Sequence, residues 1–320
     1  MNEHTAFLAE STAPGKLILL GEHAVVYGQP AIALPCAAVA VHVGVSPSDG
    51  PLTVTSAQGD GRPALVVHIA DAPEDDFIAA AVRAALAARG RDAASAPWHL
   101  ALSSTIPEGR GMGSSAAVAV ALVKAICTAC GEDAEPEEAR ELAMAGERLA
   151  HGRASGIDPA VVAYARPIRF HNGVVTPLRV REPLAFVVAD SGESGGTHEA
   201  IAGVRARRDR QPGTYDGWFA RIGGLVGDAV AALASGDVLR LGRLMDTNHL
   251  ILQALGVSTP RLDRLVGAAR SAGALGAKLS GGGGGGIVVA LVRDDALEAV
   301  SQALQQAGAT RVIVTRVDAT

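Results

Sequence analysis

The chain has 320 residues, 48% hydrophobic and 3% aromatic, with a net charge of −5. Such a chain can bury one large or two ordinary cores, filled by Val, Leu, Ile and Ala rather than by rings. With no basic tail or stripe, the balance argues against nucleic acid and anionic membrane as partners, so a bound anion must rely on a local site.

The longest apolar run, residues 116–127, is interrupted by Lys124 and is too short to cross a bilayer. The N-terminal Met-Asn-Glu-His carries no basic n-region and no signal-peptide core. These features predict a soluble, cytoplasmic protein. Cys127 and Cys130 form a Cys-x-x-Cys inside that apolar run, and Cys36 is the one other cysteine. No second pair completes a zinc site, so the three thiols are expected to pack.

In chain order, residues 7–12 and 16–20 predict two strands separated by Ala13-Pro14-Gly15. Lys16 opens the second, and Gly21-Glu22-His23 closes it. Residues 36–45, 52–56 and 64–69 predict further strands of a largely antiparallel sheet. Residues 75–88 predict a helix, with Phe77, Ile78, Val82 and Leu86 on helical spacing. A strand over 98–106 leads into Pro107-Glu-Gly-Arg-Gly-Met-Gly-Ser-Ser115, the densest stretch of the sequence.

Three glycines fall within five residues there, at Gly109, Gly111 and Gly113. Glycine lets backbone N–H groups approach a ligand with no Cβ in the way. Ser114 and Ser115 stand where a helix over 116–127 would start, and a helix N-terminus offers free N–H donors and a positive dipole end. The combination suits phosphate. It is not the Walker pattern, which needs Lys after the last glycine, nor the dinucleotide fingerprint. A serine-capped turn is the bland alternative.

A second helix over 136–150 starts on Pro136 and carries Glu147. A turn-rich stretch to Asp158-Pro159 follows, then a hairpin of residues 161–170 and 174–180 turning at Asn172-Gly173. Asp158, preceding a proline, is biased to extended backbone. Glu182-Pro183 marks a domain junction, giving domains 1–182 and 183–320. The second half predicts a strand (184–190), a polar loop (191–197) and helices over 215–234, 238–255 and 260–272. Strands at 277–279 and 287–292, a helix at 296–307 and a strand at 311–317 complete it. The hexaglycine 281–286 has hairpin-loop length rather than linker length, and can bring many N–H groups to one ligand. Strands and helices in clumps indicate an α+β arrangement.

Three motifs together carry a family resemblance. They are Ala13-Pro-Gly-Lys-Leu-Ile-Leu-Leu-Gly-Glu-His23, Pro107-Glu-Gly-Arg-Gly-Met-Gly-Ser-Ser115 and Lys278-Leu-Ser-Gly-Gly-Gly-Gly-Gly-Gly286. The chain resembles the GHMP small-molecule kinases. The runs 21–28, 147–158 and 248–260 resemble the mevalonate kinases among them. Phosphomevalonate kinases tend to carry Tyr at the place of His23, and galactokinases usually continue with Thr-Asp. One departure is the third motif, which usually contains Ala and often Cys, but is all glycine here.

The resemblance implies an N-terminal α/β domain with a mixed sheet, a C-terminal ferredoxin-like α/β sandwich and an active site in the cleft between. It also implies the reaction of ATP with (R)-mevalonate to give 5-phosphomevalonate and ADP. Pro107, Gly109, Arg110, Gly111, Met112, Gly113, Ser114 and Ser115 would bind the ATP phosphates. Ser115 and Glu147 would hold Mg²⁺, a hard ion that prefers oxygen ligands. Asp158 would take the alcohol's proton, with Lys16 close by to keep it ionised. Glu22, His23 and Thr197 would contact the substrate together with Lys16 and Asp158. Ser280, Gly281, Gly282 and Gly283 form the third-motif loop. A homodimer is left open. The alternatives are a phosphomevalonate kinase, a mevalonate 3-kinase or a ligand sensor without catalysis; the presence of Lys16, Ser115, Glu147 and Asp158 speaks against the last.

Overall fold

Residues 7–56, 65–151 and 155–320 are described by a computed structural model, leaving aside the side chains of 150, 151, 197 and 198. They form two compact units. The first comprises Met1–Gly15, Val39–Ile106 and Gly113–Ala165; the second comprises Lys16–Ala38, Pro107–Met112 and Arg166–Thr320.

Seven strands make the first sheet: β1 (Ala9–Leu20), β2 (Ala31–Pro47), β3 (Thr53–Ser56), β4 (Leu65–His68), β5 (Trp98–Ser104), β6 (Ile168–His171) and β7 (Val174–Pro177). Their order is β4-β3-β5-β2-β6-β7, with β1 on β2. β3 runs parallel to β5, while β2 is antiparallel to β5 and β6, so the sheet is mixed as expected.

In the first unit α1 (Phe77–Ala88), α2 (Ser114–Ala129), α3 (Pro136–His151) and α4 (Ile157–Tyr164) pack against one another. Every residue from Ala116 to Val123 is buried. A helix apolar all round belongs at the centre of a core, and α2 takes that place. Asp76 starts α1, its Oδ1 accepting from the Ala79 N–H at 2.8 Å, a cap that satisfies an otherwise orphaned donor.

The second unit carries a four-stranded antiparallel sheet in the order β11-β8-β10-β9. These strands are β8 (Leu184–Asp190), β9 (Gly276–Ser280), β10 (Ile287–Val292) and β11 (Arg311–Val317). All residues of β8 and β10 are buried, which is why both read as unbroken apolar runs. The helices are α5 (Thr197–Arg210), α6 (Pro212–Ser235), α7 (Val238–Ala254), α8 (Pro260–Ser271) and α9 (Leu297–Gln306). A 3₁₀ turn, Ala24–Tyr27, stacks Tyr27 on Phe219 of α6 at 4.2 Å between ring centroids.

Four expectations are corrected. β1 runs unbroken through Ala13-Pro14-Gly15; its partner among the described residues is β2, and proline is tolerated on such an edge strand. The strand expected from residue 161 is instead α4, preceded by Gly156 at φ 84°. Pro159 is the third residue of that helix, where its missing N–H has no partner to lose. Asp158 is therefore helical rather than extended, in a first turn where a negative charge suits the dipole. The third correction is α5, unexpected because its apolar residues are mostly Ala and Gly and form no wide stripe, with Val204 its one buried residue among those described. Arg207 ties it down by donating to the Leu255 carbonyl at the end of α7. The fourth is α6, whose 24 residues are long and apolar enough to cross a membrane. It buries Tyr215, Phe219, Ile222 and Val226 on one face within its own unit.

Candidate active site

The first motif ends in a buried charge network. Leu20 closes β1, and Glu22 and His23 follow, 3% and 5% exposed. One carboxylate oxygen of Glu22 accepts from the Nζ of Lys278 on β9, which is fully buried. The other accepts from the side-chain amide of Asn248 on α7 at 2.9 Å. Both oxygens that the family resemblance turns toward substrate are thus engaged within the unit. Burial holds the Lys278 ammonium below the ordinary lysine range, and the Glu22 charge acts against that.

His23 sits at φ 59°, a left-handed backbone that a non-glycine residue rarely adopts. Its Nε2 lies 2.9 Å from the Gly282 carbonyl, so Nε2 carries the hydrogen and donates it. Burial, with the charge of Arg207 facing it, lowers the ring's pKa to about 4, although the Gly282 carbonyl pulls the other way. The ring is neutral at physiological pH. Its Nδ1 is then the acceptor.

The loop before α2 has the backbone that its glycines predict. Gly109, Gly111 and Gly113 have φ of 66°, 74° and 76°. Gly113 is the N-cap of α2, and Ser114 and Ser115 are its first residues. Met112 is buried, and its carbonyl accepts from the Lys16 N–H at 2.9 Å, joining the loop to β1 within the second unit. Arg110 does not point a free cation at a ligand. Its Nε donates to Asp190 Oδ2 at 3.0 Å and its Nη1 to Ser194 Oγ at 3.3 Å. What this loop offers an anion is therefore backbone.

The hexaglycine is the loop of the β9–β10 hairpin, as expected. Ser280, just before it, is hydrogen-bonded both ways to Ile18 at 2.9 Å, accepting from its N–H and donating to its carbonyl. Gly281 and Gly283 to Gly286 all have positive φ. Arg110, Gly111, Gly195, Ser280, Gly282 and Gly283 line a small void between this loop and the one before α2. Gly195 belongs to the loop after β8, of which the sequence singles out only Thr197 for the site. Its signal was Asp190, a charge closing an apolar strand. Lys278 was also missed as an actor, although a lysine between Ala277 and Leu279 in an apolar strand is conspicuous.

The remaining residues are placed as follows. Lys16 is 4% exposed within β1. Glu147 lies on α3 at 2% exposure, and Ser115 in the first turn of α2, the helix against which α3 packs. Asp158 is half-buried on α4. Thr197 is the first residue of α5; its side chain lies outside the described residues. No group of three or more His, Cys, Asp or Glu among the described residues is arranged to hold a metal. A carboxylate and a hydroxyl on packed helices nevertheless suit Mg²⁺, which commonly takes one or two protein oxygens and fills its shell with phosphate and water.

Two family models match the chain, "GHMP kinases N terminal domain" over residues 76–166 and "GHMP kinases C terminal" over 229–310. The mevalonate kinase of Thermococcus gammatolerans is 39% identical over 318 residues, covering 95% of this chain and 94% of that protein. This chain belongs to the mevalonate kinase family of GHMP kinases. Among solved structures, L. major mevalonate kinase in complex with R-mevalonate superposes with a TM-score of 0.84 at 29% identity, covering 97% of this chain and 96% of that one. The Methanococcus jannaschii mevalonate kinase superposes at 0.85 over 98% and 100% of the two chains; at 23% identity that likeness speaks for the fold alone. The family's fold and kinase class agree with what the three motifs imply, including the ferredoxin-like second domain.

Proposed function

We propose that this chain phosphorylates the 5-hydroxyl of (R)-mevalonate from Mg·ATP, giving 5-phosphomevalonate and ADP. The observation that carries the reading is the 39% identity to a mevalonate kinase along nearly the whole chain, with all three motifs present. Residues 1–182 would form the ATP-binding domain and 183–320 the second domain, in the cytoplasm, with a homodimer as the assembly to test.

Phosphoryl transfer through a loose transition state needs positioning and charge neutralisation more than covalent help. The N–H groups of residues 109–115 would hold the nucleotide phosphates at the start of α2. Ser115 and Glu147 would hold Mg²⁺, which neutralises charge developing on the β- and γ-phosphates when bound. Asp158 would orient the primary alcohol and take its proton. Lys16 would stabilise the nascent alkoxide and favour the ionised form of Asp158. His23, with Nδ1 as acceptor, suits a substrate hydroxyl better than a carboxylate, because two acceptors have no proton to share. Thr197 would join Lys16, His23 and Asp158 in the substrate site.

The test is identification of the product by phosphorus NMR after incubation with Mg·ATP and mevalonate. A phosphomonoester on the C5 oxygen is the expected result. Phosphate on the C3 oxygen would mean a mevalonate 3-kinase, and ATP use only with phosphomevalonate would mean a phosphomevalonate kinase.

A further inference from the structure

We infer that Lys278 is a positioning residue: its buried ion pair with Glu22 fixes the left-handed turn at His23, and so sets where the imidazole meets the substrate. The inference rests on the mevalonate kinase reading for its substrate, but its geometry is local to one unit. Glu22 directly precedes His23 and is held at both carboxylate oxygens, by Lys278 and by Asn248. Lys278 comes from β9, two residues before the Ser280 side chain that grips the Ile18 backbone of β1. Four residues beyond Lys278, the Gly282 carbonyl accepts from the His23 ring. The strand that supplies the ammonium therefore also leads into the loop that receives the imidazole.

A left-handed non-glycine residue is strained and persists only where its surroundings hold it. The side chain next in sequence to His23 provides such a hold. Glu22 cannot swing toward a ligand without leaving the fully buried Lys278 ammonium with no counter-charge and only the Ile18 and Leu279 carbonyls to accept from it, and breaking one partner of a buried pair is far more costly than the pair's net worth. Glu22 thus acts on the substrate through His23 rather than by touching it. Lys278 is two steps from the substrate and is not a catalytic residue.

Glu22→Gln and Lys278→Met each break the pair, the former keeping an acceptor for Asn248. Each is read by steady-state kinetics and by NMR titration of the His23 ring in the full-length protein. The expected result is a mevalonate KM raised about tenfold or more, since small misplacements carry penalties of that order, with the KM for Mg·ATP within about threefold. The His23 titration midpoint is expected to rise from about 4 toward the ordinary histidine value as the turn loosens and the ring gains water. An unchanged mevalonate KM, or both KM values rising together with His23 titrating as before, would overturn the inference. If neither single variant folds, the double variant carries no buried charge and is read in the same way; a wild-type mevalonate KM there would overturn it too. Should the wild-type protein fail to use mevalonate at all, the functional reading falls, and the His23 titration alone decides the positioning role.

Discussion

A Cβ placed on Gly111, in the loop before α2, meets nothing within 4 Å, whereas one placed on Gly283 would lie 2.2 Å from the Val257 carbonyl oxygen. Both residues have positive φ, 74° and 76°. The hexaglycine is hemmed in elsewhere too: a Cβ on Gly285 would lie 2.7 Å from the Glu193 carbonyl oxygen, and one on Gly286 3.1 Å from that of Arg110. The two loops satisfy the same backbone rule for different reasons. In the first, glycine keeps space open for a ligand. In the second, glycine lets the backbone of other loops close in. Glycine is thus a packing requirement at Gly283, Gly285 and Gly286, whereas a Cβ on Gly281 or Gly284 would meet its nearest atom at 3.8 or 4.0 Å.

Substitutions sharpen that contrast. Gly283→Ala is expected to do the most damage, because the left-handed penalty of roughly 1–2 kcal/mol adds to an overpacking cost of about 1–3 kcal/mol. Urea denaturation should show a loss of about 2–5 kcal/mol, or no folded protein, by the sum of those terms. Wild-type stability in this variant would show that the loop relaxes freely.

Acid should act next, and on the second loop. His23 grips Gly282, and His249 accepts from the Leu279 N–H just before the loop at 3.4 Å. Both rings are held near pKa 4 against an ordinary 6.5, chiefly by burial. Between those values the unfolded chain binds more protons than the folded one. Stability is therefore complete above about pH 6.5 and declines as the pH falls toward 4. Each ring should cost about 2 kcal/mol by about pH 5. His23→Gln should flatten that pH dependence in urea titrations; an unaltered slope would mean His23 is solvated.

Gly111→Ala should fold, with a stability loss of about 1 kcal/mol from φ alone. Its effect belongs in ATP use, where a KM for Mg·ATP raised about tenfold would match a methyl intruding on ligand space. A normal ATP KM would break the contrast between the loops. Smallest of all, Asp190→Asn should cost about 1 kcal/mol, because its partner Arg110 keeps some solvent contact at 21% exposure. Thermal unfolding can detect that. A loss several times larger would make the Arg110–Asp190 pair the loop's main anchor.

Much of the fold was legible because the responsible signals are local. Asn172-Gly173 turns β6 into β7 with φ of 50° and 81°, as a two-residue hairpin requires. β8, β10 and β11 run over the predicted residues because each is a short apolar or alternating run between turn signals. The failures arise where tertiary context outweighs local preference. Val161 and Val162 favour a strand by side-chain shape, yet both are buried in α4. α5 has no apolar stripe to announce it. At the site, motif spacing located the glycine loops and their serines. It could not show that Glu22 faces Lys278 and Asn248, 256 and 226 residues away in sequence, or that Arg110 is held by Asp190. Pairings at such separations leave no periodic trace.

The identity of the substrate is tested most directly by a coupled ADP-release assay. Mevalonate, phosphomevalonate, galactose and homoserine would be compared with saturating Mg·ATP. The expected result is the highest kcat/KM for mevalonate, no turnover of galactose or homoserine, and loss of about 10²–10⁴-fold in kcat on Asp158→Asn, the usual scale of general-base assistance. A higher kcat/KM for phosphomevalonate, or a mevalonate rate that survives Asp158→Asn, would contradict it.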